Sequence, residues 1–116
     1  MTRQSRMLSL AHTELIETEI RHYHDTVQAL TNAIQTLTSA QLLELYRRIE
    51  AIECMLWILR AHPEQKRYEL VKLTYWTNGR YTVDQICQKL NISRSTYHKW
   101  KQEALQIVGE RLGWRI

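Results

Sequence analysis

Phenylalanine is absent from the 116 residues, and only three glycines, one proline and two cysteines occur. So few turn formers exclude a multi-stranded sheet and favour helices with short connections. Cys54 and Cys87 fall on helical stretches with apolar neighbours, and both read as reduced core residues of a cytoplasmic protein. The longest apolar run, Cys54 to Leu59, is far too short to span a bilayer. No signal peptide is expected, because the N-terminus lacks an apolar run and a cleavage site. No Cys-x-x-Cys, phosphate-cradling glycine loop or Ser/His/Asp arrangement stands out, so no enzyme and no cofactor are expected. His22 and His24 point about 200° apart on a helix and cannot share one ion, so no metal is expected.

What is present is an ordinary globular composition with an uneven charge. The chain is 44% apolar and 24% charged, with a net charge of +4. Up to Leu59 there are five Lys/Arg against seven Asp/Glu; from Arg60 onward there are eleven against five. A basic C-terminal half is the footprint of a polyanion binder. It does not say which polyanion.

From Thr13 to Leu37 the apolar residues are Ile16, Ile20, Tyr23, Val27, Leu30, Ile34 and Leu37, spaced by alternating steps of four and three. That is a heptad seam. Ile20, Val27 and Ile34 are β-branched at one seam position, which favours a parallel two-stranded coil and hence a homodimer. The alternative is antiparallel packing of the same helix onto the next one in its own chain. Ser39 reads as the N-cap of a second helix, Ala40 to Ala61. Its apolar set is Leu42, Leu45, Tyr46, Ile49, Ile52, Leu56 and Leu59, widened by Met55 and Trp57, so it is expected to be covered on more than one side. Pro63 suits the first turn of a third helix running to about Thr77. Asn78-Gly79 ends it, since glycine tolerates the left-handed position.

Thr82-Val-Asp-Gln85 reads as a capping box, and Asp84 complements the dipole of the helix it opens. That helix runs through Ile86, Cys87 and Leu90 and stops at Asn91, which accepts a left-handed backbone. Ile92 returns to the core and Ser93 caps a further helix from Arg94. Two helices so joined share a small core, and a small residue, Cys87, falls where they approach most closely. Ile86, Leu90, Ile92, Tyr97 and Trp100 hold the angle; Ala104, Leu105, Val108 and Leu112 continue the apolar face. The pattern is a helix-turn-helix over residues 82–112, whose second helix would enter a major groove. Arg94, Ser95, His98, Lys99 and Gln102 face outward and are the candidate base contacts. Arg80, Lys89, Ser93, Thr96 and Lys101 are the candidate phosphate contacts.

At these residues a family resemblance appears. The stretch from Tyr81 to Leu105, closing with Leu112-Gly-Trp114, resembles the C-terminal part of the RinA/ArpU-type phage transcriptional activators. Its most specific part is Ile92-Ser-Arg-Ser-Thr-Tyr-His-Lys-Trp100. The Ile49–Ile52 segment and the Tyr68–Trp76 helix also fit that pattern, which is itself similar to the fourth region of sigma factors. The resemblance covers about Ile49 to Trp114. It implies a late-gene activator from a phage or prophage of Gram-positive bacteria, with Arg94, Ser95, Thr96, His98 and Lys99 on the recognition helix. The Thr13–Leu37 seam has no counterpart in it.

The expected architecture is therefore all-α: a long coiled-coil-like helix over residues 1–38, then a helical bundle over 39–116 ending in the helix-turn-helix. The expected function is sequence-specific binding of double-stranded promoter DNA by a cytoplasmic transcription regulator. It is expected to be an activator that also needs a surface for RNA polymerase, with no membrane partner. Two other readings fit the same pattern: a DNA-packaging recognition subunit, and a protein-interaction module such as an antirepressor.

Overall fold

The computed structural model describes residues 10–114, so Arg3 and Arg6 lie outside the described residues. Within them are six helices and no strand: α1 (Leu10–Arg21), α2 (Tyr23–Ala33), α3 (Ser39–Ala61), α4 (Lys66–Tyr75), α5 (Val83–Leu90) and α6 (Arg94–Leu112). The all-α expectation holds.

The continuous first helix does not. It is interrupted at His22, where ψ is 11°, although backbone bonds from His22 N to Thr18 O and from Thr26 N to His22 O carry across the break. No glycine or proline lies there. Thr18 and Thr26 on either side return their hydroxyls to the carbonyls of Glu14 and His22, at 2.9 and 3.0 Å. The break separates two packing tasks: α1 packs on α4 and α6, and α2 packs on α3.

The seam therefore serves the chain's own core. Ile16 and Ile20 are fully buried among Ala51, Met55, Val71 and Leu105. Burial at such sites stabilises by about 1.5–3 kcal/mol per side chain. The other seam residues diverge. Leu30 is buried, Tyr23, Val27 and Leu37 are half-buried, and Ile34 is exposed beyond the end of α2. The expected dimerisation seam is corrected accordingly: its first half is covered within the chain and its last residues leave the helix.

Polar contacts fasten α1 in the same place. Glu17 accepts a hydrogen bond from the Tyr75 hydroxyl and pairs with Lys101 Nζ at 3.3 Å. Trp76 Nε1 donates to Ile20 O at 2.8 Å. Arg48 on α3 reaches Glu19 at 3.3 Å. Burial pushes the Tyr75 hydroxyl well above the ordinary tyrosine range, and the Glu17 carboxylate adds to the effect.

Further differences concern ends and faces. Thr38, not Ser39, caps α3, and Gln41 completes a capping box with it. The sequence Thr38-Ser-Ala-Gln41 has the same spacing as Thr82-Val-Asp-Gln85 and offers the same pair of bonds. Pro63 lies before α4, whose N-cap is Gln65, and α4 ends at Tyr75 rather than Thr77. Asn78 and Gly79 both take positive φ, 54° and 70°, so the turn after α4 is left-handed as expected. On α3, Ile49, Ala51, Ile52, Met55 and Leu59 are buried, but Tyr46 is 50% and Trp57 72% exposed. Those two are not core residues. Cys54 is half-exposed and Cys87 buried, and both are free thiols.

Candidate nucleic-acid interface

The α5–α6 pair is built by local signals. Thr82 accepts from Gln85 N at 3.2 Å while Gln85 Oε1 accepts from Thr82 N at 2.8 Å, closing the capping box that starts α5. Asn91 sits in the left-handed region at φ 56°, which stops α5 and returns the chain. Ile92 N bonds Cys87 O at 3.0 Å, and the Cys87 thiol lies 3.8 Å from Ser93 O. A larger side chain at 87 would push the turn away. Ser93 then caps α6, its hydroxyl accepting from Thr96 N at 3.1 Å.

A second core holds the pair against α4. Leu70, Ile86, Cys87, Leu90 and Tyr97 are buried together, with Leu73, Tyr81, Val83, Ile92 and Trp100 packed on them. Tyr97 is 2% exposed and its hydroxyl lies 3.1 Å from Thr74 Oγ1. Trp100 is half-buried beneath the Arg67 guanidinium, 4.9 Å from the ring centre. Arg67 also pairs with Glu103, joining α4 to α6. The rest of α6, Ala104 to Leu112, enters the larger core with α1 and α3. One end of α6 is thus rooted deeply and the other held from one side only.

The free side of that end carries Arg94, Ser95, His98 and Lys99, all exposed. They follow one another along one stripe of the helix, opposite Tyr97 and Trp100. Gln102 continues the stripe but is half-buried. The first turn of α6 has no acidic residue, so the positive end of its dipole is not offset there. Arg94 Nη1 bonds Asp84 Oδ1 at 2.6 Å across the turn. That bond orients the guanidinium and leaves its remaining N–H groups outward. The sequence contained this pairing only as two charges ten residues apart, which no helical period links.

The candidate phosphate contacts fare unevenly. Lys101 is paired with Glu17 at 3.3 Å and its side chain is only 26% exposed. The basic excess of the C-terminal half is partly answered by the acidic N-terminal half: Glu17 takes Lys101, and Glu50 takes Arg111. Lys89 stands over the Tyr81 ring at 5.3 Å with its ammonium exposed. Arg80 is exposed in the turn before α5, and Ser93 is exposed with its hydroxyl engaged as the cap. Thr96 is half-buried and its hydroxyl meets that of Ser93 at 3.0 Å. The structure therefore brings Arg80, Lys89, Arg94 and Lys99 onto the α5–α6 end as exposed cations, without Lys101.

Among the described residues no group of three or more His, Cys, Asp or Glu side chains could hold a metal ion. None of the described helices is long and apolar enough to cross a membrane.

The chain belongs to the family described as "Protein of unknown function (DUF1492)", whose model matches residues 13–109. No curated protein and no solved structure matches it.

Proposed function

We propose that the protein is a sequence-specific double-stranded DNA-binding transcription regulator that reads the major groove with the start of α6. The observation that carries this reading is the exposed stripe of Arg94, Ser95, His98 and Lys99 on a helix end anchored by buried Tyr97. The α5–α6 pair then acts as a helix-turn-helix. Arg94 can donate two bonds to guanine, and Ser95 and His98 can bond either type of base edge. Lys99 can donate to a base edge on the same stripe, and Lys89 and Arg80 supply phosphate contacts that fix register without reading sequence. The uncompensated N-terminus of α6 favours a phosphate nearby.

Activation of phage late genes, in the cytoplasm of a bacterial host and in contact with RNA polymerase, is the role that the RinA/ArpU resemblance supports. The Ile92–Trp100 motif that carries the resemblance is the segment that forms the exposed stripe.

Enrichment from a random duplex library tests the proposal. The full chain should select one recurrent motif, and Arg94→Ala with Lys99→Ala should lose that selection. Binding to the selected duplex should weaken steeply with salt, since several cations would release counterions from phosphate. Enrichment of no motif would contradict sequence-specific reading.

A further inference from the structure

Arg94 differs from the other exposed cations at this end of the molecule. Its Nη1 lies 2.6 Å from Asp84 Oδ1, across the turn between α5 and α6. Among the described residues no ion pair holds Arg80, Lys89 or Lys99. Arg94 is also the first residue of α6, where the positive end of the helix dipole disfavours a cation. Asp84 stands in the first turn of α5, which the Thr82 capping box fixes. The pair adds little to stability, because its side chains are 60% and 68% exposed and water screens them. What it sets is the net charge and direction of one guanidinium.

A phosphate and a guanine ask different things of that group. Each offers two acceptors to a bidentate guanidinium, but a phosphate is also drawn by charge. Asp84 offsets the charge, and its carboxylate repels a phosphate brought to the same place. The hydrogen bonds are not offset. One Nη1 hydrogen goes to Asp84, and the other N–H groups of the fork remain. Two of them match O6 and N7 of a guanine, which carries no net charge.

We infer that Asp84 is a positioning residue for sequence readout: it keeps Arg94 off the phosphates and directs it to a guanine in the major groove. The inference rests on the DNA reading proposed above. It gives Arg94 a base contact alone, while Lys89 and Arg80, which no carboxylate offsets, keep the phosphate role.

Asp84→Asn tests it, since it keeps the size and one acceptor oxygen but removes the charge. Asp84 is exposed, so the variant should keep the wild-type helical circular-dichroism signal. The probes are the duplex enriched by the wild-type full chain, a scrambled duplex, and copies of the first in which each guanine in turn becomes 7-deazaguanine, which lacks N7. Wild type should lose about fivefold or more in affinity at one such guanine. Arg94→Ala should be indifferent to that replacement and should keep the wild-type salt dependence. Asp84→Asn should bind the scrambled duplex more tightly than wild type does and lose less at the sensitive guanine. Its salt dependence should steepen by about one phosphate contact. Added to Arg94→Ala, Asp84→Asn should no longer alter discrimination at that guanine. No enriched motif in wild type would overturn both the DNA reading and this role. With a motif enriched, three results would overturn the role of Asp84 alone. They are no sensitive guanine, wild-type selectivity and salt dependence in Asp84→Asn, or a salt dependence in Arg94→Ala that falls by about one contact.

Discussion

α1 is held by partners far along the chain, whereas α5 and the start of α6 are set largely by bonds between near neighbours. Glu17 on α1 meets Tyr75 and Lys101, and Ile20 meets Trp76. In the α5–α6 pair the decisive bonds join residues three to six apart: Thr82 to Gln85, Ser93 to Thr96, and Cys87 to Ser93. The first arrangement exists only when α3, α4 and α6 have assembled. The second sets the turn and both helix starts locally against α4, while α6 from Ala104 onward is rooted in the larger core. A surface that must present side chains at fixed angles gains from local fixation of the turn that carries them.

Four substitutions and conditions would sharpen or break this contrast. The largest effect is expected within the first heptad seam. Ile20→Ala should cost about 2–5 kcal/mol, the range for a fully buried isoleucine, whereas exposed Ile34→Ala should cost less than about 1 kcal/mol. Urea denaturation reads both; equal effects would mean that the seam is not divided as described. Next, Glu17→Ala leaves the Tyr75 hydroxyl and Lys101 without their carboxylate and should cost about 1–3 kcal/mol. Hydrogen exchange should then show α1 opening before α5. Thr82→Ala removes a local cap and should cost about 1 kcal/mol, with exchange rising mainly at the start of α5.

The smallest effect is alkaline. Burial, with help from Glu53, pushes Tyr23 up to about 12, and Tyr75 is raised further. The unfolded chain, with tyrosines near about 10, releases these protons first. Stability contributed by the two hydroxyls is therefore complete below about pH 10 and declines as pH rises above it. The urea midpoint should fall in that range, and Tyr75→Phe should flatten the fall more than Tyr23→Phe does.

The same contrast explains what could be read from the amino-acid order. Caps and left-handed stops depend on neighbours in sequence, so Thr82, Asn91 and Ser93 were legible, as was the inward face of Tyr97 and Trp100. The Thr38 cap was equally legible by the Gln41 spacing, although adjacent Ser39 offers the same hydroxyl. A heptad gives a period but not a partner. Ile16 and Ile20 have the pattern of an intermolecular seam and are covered by Ala51, Met55 and Leu105 of the same chain. Trp57 shows the reverse: hydrophobicity suggests burial, yet every inward position of that part of α3 is already taken by Ile52, Met55 and Leu59. Within the candidate site, Arg94, Ser95, His98 and Lys99 follow from helix period alone. The diversion of Lys101 to Glu17 and the Arg94–Asp84 bond depend on tertiary placement, which no local pattern encodes.

The central claim is that the exposed start of α6 reads DNA, and fluorescence anisotropy on the enriched duplex tests it most directly. The wild-type chain should bind that duplex far more tightly than a scrambled one. Arg94→Ala with Lys99→Ala should bring the two affinities together while the helical signal stays intact. A double variant that still discriminates between the duplexes as well as wild type would contradict the account.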